Sequence, residues 1–541
     1  MNKLFIRLLE KRGLTPSFLH PKYEDYINPF RLADMDKAIA RIKKAITNQE
    51  KILIYGDYDV DGVTSSTLME QALILAGIPP KNIEIMLPDR FADGYGMSPK
   101  LIDRAKKHQI TLVITVDCGS HNHVIIDELN TLGIDTIVTD HHETDTELPD
   151  AIAVINPHRK DSPTDSLQNL AGVGVAFKLA EALEQEGIIA SGQEKWLLDL
   201  VLLGTICDSM TILGENRRLC FYGLKVLERT RRPGLKELMQ KAGVKSLNSE
   251  SIGFQLGPRL NAAGRLESAT TSLELLRTKS PTESATIAEK LEQLNKKRKT
   301  EQNSAIKEIK ERGISDEPVI VETGKWHEGI LGIVAGRLVE DYKKPAFVLT
   351  ETTEGVFKGS GRSFGDFNLA DALAYIKDTI IGGGGHAGAA GVKLARENLY
   401  KFREQLNDYY RSLHLMDQEK YFISTPDLEI TDLSDLTLEL LEDLKSLEPF
   451  GPGNEEPVFR LKNVQIANLT RMGSDRNHLR LDLRDKNGKY LKLVAFFAPE
   501  KWFALDPDYD QIEPIIKLTE NDFNGVKSVE ARLLDLDILQ N

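Results

Sequence analysis

Between Lys51 and Ile155 short β-rich runs alternate with helical patterns, and this alternation constrains the fold of the 541-residue chain more than any other feature. KILIY (51–55), IEIML (83–87), TLVITV (111–116) and IDTIV (134–138) read as buried strands. Helices are expected between them: Thr64 to Leu75 closed by Gly77, a segment with Ser98 as N-cap and Pro99 at its first position, and about 122–132. Alternation of this kind builds a parallel sheet covered by helices on both faces. Ligands of such sheets gather outside the carboxyl ends of the strands. Three of those ends are acidic here: Asp57-Tyr58-Asp59-Val60-Asp61, Asp117-Cys118-Gly119 and Asp140-His141-His142-Glu143. An apolar segment, LLGTICD, delivers a fourth acid, Asp208.

Residues 170–310 read as mostly helical, and Lys290 to Arg312 has the composition of a long exposed helix between domains. A second α/β segment follows, with PVIVE (318–322), a helix over about 329–341, AFVLT (346–350) and the glycine-rich GGGGHAGAAG (382–391). Pro426 to Glu456 is strongly acidic, and the alternating LRLDLR (479–484) and LKLVAFF (491–497) after it suggest a small β-barrel. The three cysteines, Cys118, Cys207 and Cys220, are too scattered for a disulfide scaffold or a thiolate zinc site, and they fit a reducing compartment. Arg7 interrupts the only apolar stretch of the N-terminus, and no apolar run could span a bilayer. The expectation is a cytoplasmic monomer without membrane contact.

Carboxylates that converge on one crevice repel one another and lose charge unless cations are present. A set of Asp with one or two His and no Cys suits hard to borderline divalent ions such as Mn²⁺ or Mg²⁺. A lone D-x-D after a strand is commonly a helix cap, and a lone His-His pair commonly a surface feature. Acidic ends repeated along one side of one sheet are neither. DYDVDG is no EF-hand loop, because an apolar helix begins where that loop would continue polar to a distant Glu.

GDYDVDG, VDCG, TDHH and GTICD, in that order, resemble the four motifs of the DHH phosphoesterase family. GPRLNAAGRL (257–266), HEGILGIVAGRL (327–338), SGRS (360–363) and GGGGHAGAAG resemble further blocks of its branch of single-strand-specific 5′→3′ DNA exonucleases. The resemblance covers roughly residues 50–500. It implies an α/β fold: a parallel-sheet DHH domain (51–285) and a smaller α/β DHH-associated domain (314–415), joined by a linking helix (286–313). An N-terminal segment (1–50) would precede them, and an acidic connector with an OB-fold-like β-barrel (416–541) would follow. It also implies two ions, Mn²⁺ or Mg²⁺, on Asp59, Asp61, Asp117, His141 and Asp208, with Asp117 bridging and Asp57 and His142 in or beside the ligand shell. Many relatives outside this branch carry a metal-binding His four residues before the first ligand; that position here is Tyr55.

Phosphodiester hydrolysis needs positive charge on the attacking and leaving oxygens, which two ions about 3.5–4 Å apart provide. Asp117, His142, His386 and Arg362 are the expected catalytic residues, with Arg362, Ser360 and His386 holding phosphate oxygens. Arg259, Asn261 and Arg265 match a family block and are expected to face the strand; Arg90, after LPD (87–89), is the candidate for the 5′ end. The chain carries −13 net charge, so DNA would need a local basic groove, for which residues 217–245 and 290–312 are candidates. Phe496, Phe497 and Trp502 are candidates for base stacking. Single-stranded DNA is the expected partner, and a single-strand-binding protein, a helicase or other repair and replication proteins are candidates for docking on the end domain. Two alternatives stand beside the exonuclease: a DHH phosphoesterase of short oligonucleotides or nucleotides, and a catalytically silent DHH-fold replication scaffold. The length of the chain speaks against the first, and the presence of every metal-site acid against the second.

Overall fold

Five strands form the first sheet: β1 (Ile52–Gly56), β2 (Ile83–Met86), β3 (Leu112–Val116), β4 (Asp135–Thr139) and β5 (Ala153–Ile155). All are parallel, in the order β2-β1-β3-β4-β5. The computed structural model describes every residue except 95, 145–146, 164, 353–354, 416–424, 474–475, 508–509 and 540–541. It divides into two compact units, Asp25–Gln418 and Met1–Glu24 with Glu419–Asn541.

In the larger unit β1 and β3 are buried along their whole length, as continuous apolar runs between two helical layers should be. Leu53, Tyr55, Val113 and Val138 point into one layer with Leu101 and Ile126. The Tyr55 hydroxyl accepts from Ser98 N–H (3.0 Å) and donates to Gly96 O (3.1 Å), so this residue belongs to the core. The helix Val60–Leu75 starts directly at the acidic turn, four residues earlier than its apolar pattern suggests, because Asp59 caps it through Gly62 N–H (3.0 Å).

The expected linking helix is longer than 286–313 and is exposed on one side only. It runs from Pro281 to Arg312 and buries Ile287, Leu291, Leu294, Ala305 and Ile309. Their three- and four-residue spacing makes an apolar stripe that the count of charged residues hides. The second sheet follows: β6 (Ile320–Gly324), β7 (Ala346–Glu351), β8 (Val356–Arg362), β9 (Gly382–Gly385) and β10 (Ala389–Ala395), in the order β6-β7-β8-β10-β9. The four glycines at 382–385 are therefore an exposed edge strand, and His386 stands in the turn of a hairpin, not in a loop. On β8, Gly359 and Gly361 face a core where a Cβ would meet Leu349 and Phe347 at 2.1 and 2.5 Å. Alternation then turns Lys358, Ser360 and Arg362 to the other face together.

The smaller unit contains β11 (Leu428–Ile430), β12 (Phe459–Leu461), β13 (Val464–Met472), β14 (His478–Asp485), β15 (Tyr490–Ala495), β16 (Gln511–Phe523) and β17 (Val526–Leu539). The β16–β17 pairing closes β16-β13-β14-β15-β17 into a barrel. Three expectations change here. The segment 1–50 is not one piece: the helix Lys3–Arg12 packs into the barrel unit through Leu4, Phe5 and Leu8, while the helix Met35–Asn48 lies in the larger unit. Arg12 grips Asp427 with two hydrogen bonds (2.6 and 2.8 Å). The acidic stretch is no connector, because Leu428, Ile430, Leu440, Leu441 and Leu444 enter the same core; the expected start at 416 lies outside the described residues. Trp502 is buried in that core and is unavailable for stacking, whereas Phe496 and Phe497 lie beyond the end of β15, exposed and each edge-on to the His478 ring. Among the described residues no helix is long and apolar enough to cross a membrane.

Candidate metal centre and substrate cleft

The carboxyl ends of β1, β3 and β4 bring the expected acids together. Three groups have ligand atoms mutually close enough to hold an ion: Asp57, Asp59 and Asp117; Asp61, His141 and Asp208; and Asp117, His141 and His142. Asp117 shares two of them. Its Oδ1 lies 3.1 Å from His141 Nε2, which is also 3.8 Å from Asp61 and 3.7 Å from Asp208. Asp57 ranks with Asp59 in this geometry, closer to the ligands than its motif position indicated.

The local folding around these groups shows what the site costs. Asp117 has φ +60°, a left-handed conformation that Asp tolerates better than most residues. Gly172 has no room for a side chain, since a Cβ there would lie 2.6 Å from Asp117 Cβ. The N–H groups of Gly172 and Val173 donate to the two oxygens of Asp61 (2.6 and 2.9 Å), placing that carboxylate at the N-terminus of the helix Gly172–Gln185.

Burial, then the neighbouring acids, pushes Asp61 and Asp117 well above the usual carboxylate range. Asp57 and Asp208 rise to about 7, by burial first and the charge of Asp59 second. Burial and the cationic neighbour His142 depress His141 to about 3, so it is a neutral ring with one nitrogen lone pair to offer. For His142 burial disfavours the cation, but the 2.7 Å hydrogen bond to Asp140 and its charge outweigh it and raise the ring to about 9.

Asp140 stands in the TDHH motif without a role assigned from the sequence. Its carboxylate accepts from the backbone N–H of Ser120 (3.0 Å), His141 (2.8 Å) and His142 (3.3 Å) as well as from the His142 ring. Asn156, equally unremarked, donates to His142 O and Ser120 Oγ, both at 2.9 Å. These two residues orient the His pair. A count of partners is needed to see them, and the sequence carries none.

Asp117 Oδ1, a buried carboxylate oxygen, accepts no hydrogen bond among the described residues, although His141 Nε2 lies 3.1 Å from it. Carboxylates and a neutral imidazole around such an atom form the hard-donor set of a Mn²⁺ or Mg²⁺ site, and the residues present fit those ions.

A cleft of about 950 Å³ opens beside this cluster. Tyr58, Arg90, Phe91, His121 and His142 line it from the first domain, and Lys358, Ser360, Arg362, β9 and His386 from the second. Arg90 lies over the Tyr58 ring at 4.9 Å, and Arg362 donates to Ser360 Oγ at 3.1 Å. Burial and the nearby guanidiniums of Arg90, Arg298 and Arg362 lower Arg265 to about 9, still charged at neutral pH. A crowd of cations with mutual repulsion favours an anion.

Other expected strand contacts are not in place. Arg259 is committed to Glu292 (2.6 Å) and Gln255 O (2.7 Å), tying two helices together, and neither it, Asn261 nor Arg265 lines the cleft. The expected basic groove at 217–245 also dissolves in part. Arg217, Arg218 and Arg232 are buried, Arg218 against Glu181 and Glu215 and Arg232 against Asp199.

Comparison with known proteins agrees with this architecture. Residues 51–205 match the DHH family, N-terminal domain, 316–412 the DHHA1 domain and 427–535 the RecJ OB domain. The single-stranded-DNA-specific exonuclease RecJ of Bacillus subtilis is 36% identical over 98% of this chain and 67% of its own length. RecJ of Escherichia coli is 32% identical over 92% of this chain and 89% of its own. The crystal structure of Thermus thermophilus RecJ in complex with Mn²⁺ superposes with a TM-score of 0.84 at 26% identity, covering 100% of this chain and 76% of that one.

Proposed function

We propose, for a chain that belongs to the RecJ family of single-stranded-DNA-specific exonucleases, that it is a metal-dependent exonuclease of single-stranded DNA. In our reading it releases nucleoside 5′-monophosphates from the 5′ end. The observation that carries the metal assignment is the buried Asp117 Oδ1, without a hydrogen bond among the described residues and 3.1 Å from the neutral His141 ring, amid acids held above their usual pKa.

Asp57, Asp59 and Asp117 would hold one ion, and Asp61, His141 and Asp208 a second, with Asp117 between the groups. Ions bound there supply positive charge to the phosphate as negative charge develops in the transition state. The remaining work falls to the protein. Arg362 and Ser360, on one face of β8, grip phosphate oxygens, and Arg90 approaches from the opposite wall. His386 presents a second donor from its hairpin turn. Asp140 occupies Nδ1 of His142, so Nε2 presents the proton to a phosphate oxygen. Contacts to phosphate carry no base identity, so sequence preference should be slight and salt sensitivity strong. Phe496 and Phe497 on the barrel unit offer faces for base stacking.

The test is a strand labelled at one terminus and incubated with Mn²⁺. A 5′ label should leave first as mononucleotide while a 3′ label stays on long fragments until late. Early release of the 3′ label, or equal cleavage of blunt duplex, would overturn this reading in favour of a small-substrate phosphoesterase.

A further inference from the structure

Phe91, in a wall of the cleft, meets His327, which comes from the second domain just before the cleft-lining Glu328. Phe91 lies in the turn after β2 and lines the cleft beside Arg90. The Asp89 carboxylate accepts from the N–H groups of Phe91 (2.8 Å) and Ala92 (3.1 Å), which fixes the turn. His327 precedes the helix Leu331–Tyr342 on the side of the second sheet. Its Nδ1 accepts from Gly329 N–H at 3.1 Å. Gly329 in turn is pressed against the first domain, where a Cβ would lie 1.8 Å from Arg265 O. The two rings touch edge to face, 5.2 Å between centroids at 88°. Rings at that spacing are in van der Waals contact, and no nucleotide fits between them.

From this contact we infer that Phe91 and His327 form a bar across the cleft, so that a strand is admitted only by a free end. A strand gripped by Arg90 and Arg362 cannot continue past a point where the walls touch. An uninterrupted strand therefore has no route into the cleft, and end-dependence follows from the barrier as well as from any affinity for a terminal phosphate. The ring of Phe91 and the imidazole of His327 are specificity-determining groups and take no part in bond cleavage. The inference rests on the nuclease function proposed above.

Covalently closed circular single-stranded DNA, compared with a linear strand of the same sequence in Mn²⁺, tests it. Wild-type protein should degrade the linear strand and leave circles intact. In the double variant Phe91→Ala, His327→Ala the ratio of circular to linear cleavage should rise at least about tenfold. Phe91→Tyr, which keeps the ring, should retain the wild-type ratio, and Phe91→Ala alone supplies the same readout should the double variant fail to fold. Digestion of linear strands by the ring-deleted variants with circles still intact would overturn the bar and leave the nuclease standing. If wild-type protein leaves linear strands intact as well, the proposed function fails and the bar with it.

Discussion

Two clusters of buried charge in the larger unit are built in opposite ways. In one, Lys178 lies 2.8 Å from Glu215 and also pairs with Glu181, while Arg218 reaches both acids. Burial would raise Glu215, but Lys178 and Arg218 outweigh it and hold its carboxyl below the usual range. In the other, Asp57, Asp61, Asp117 and Asp208 are pushed up by burial and by neighbouring carboxylates, Asp59 among them, and none of the four has a lysine or arginine ion pair among the described residues. Balanced charge ties helices together. Unbalanced charge is held in place by the fold and gains its counter-charge from a ligand, so the imbalance itself marks the functional centre.

The largest effect that could break this contrast is loss of catalysis at the unbalanced cluster. Asp117→Asn, which tolerates the left-handed backbone better than Ala would, should lower hydrolysis of single-stranded DNA by about 10⁴-fold or more. The metal-free variant should melt no lower than wild type, because a repelling charge is removed. Substantial residual activity in a variant shown folded by circular dichroism would place Asp117 outside the metal centre.

At the balanced cluster the same kind of change should act on stability. Glu215→Ala strands Lys178 and Arg218 as buried cations and should cost roughly 3–5 kcal/mol, measured by denaturant unfolding of the unit. A loss of only a few tenths would mean that water or neighbouring acids already serve these cations.

The phosphate grip sharpens the comparison at a smaller scale. Arg362→Ala should reduce the rate about 10- to 100-fold while Mn²⁺ affinity, followed by calorimetry, stays unchanged. Arg362→Lys should recover only part, since a point charge cannot reproduce a guanidinium fork. A shift in metal affinity would show that Arg362 supports the acids and not the substrate.

The smallest effect is a drift with pH. Asp57 and Asp208 have folded values near 7, above their unfolded ones, so in metal-free protein their stabilisation is complete below about pH 4 and lost as pH rises through 7. Glu215 has the opposite sign: its contribution is present above its unfolded value and lost as pH falls through the lower folded value. Melting of EDTA-stripped protein should therefore weaken from pH 5 to 7.5, and Asp57→Asn with Asp208→Asn should flatten the slope.

The unbalanced half of this contrast was legible in the sequence, for a physical reason. A strand reports its own end, so Asp57, Asp59, Asp117 and His141 could be placed on one side of a sheet before any coordinates, and GTICD added Asp208. What stays hidden is partnership. Arg218 and Arg259 look like a DNA groove until Glu215 and Glu292 are seen beside them. Asp140 and Asn156 act through hydrogen bonds that no spacing announces. The helix Lys3–Arg12 joins a barrel more than 400 residues away, through contacts such as Arg12 to Asp427, separated by 415 positions. A barrel aromatic such as Trp502 reads the same whether it faces the core or the solvent.

The central claim, that the unbalanced acids await divalent ions, is tested most directly by titrating Mn²⁺ into EDTA-stripped protein at neutral pH in a calorimeter. Wild type should bind two ions per chain with release of protons, and Asp117→Asn, which touches both groups, should lose the second ion or weaken both. Equal binding by the two proteins, or none by either, would contradict the account.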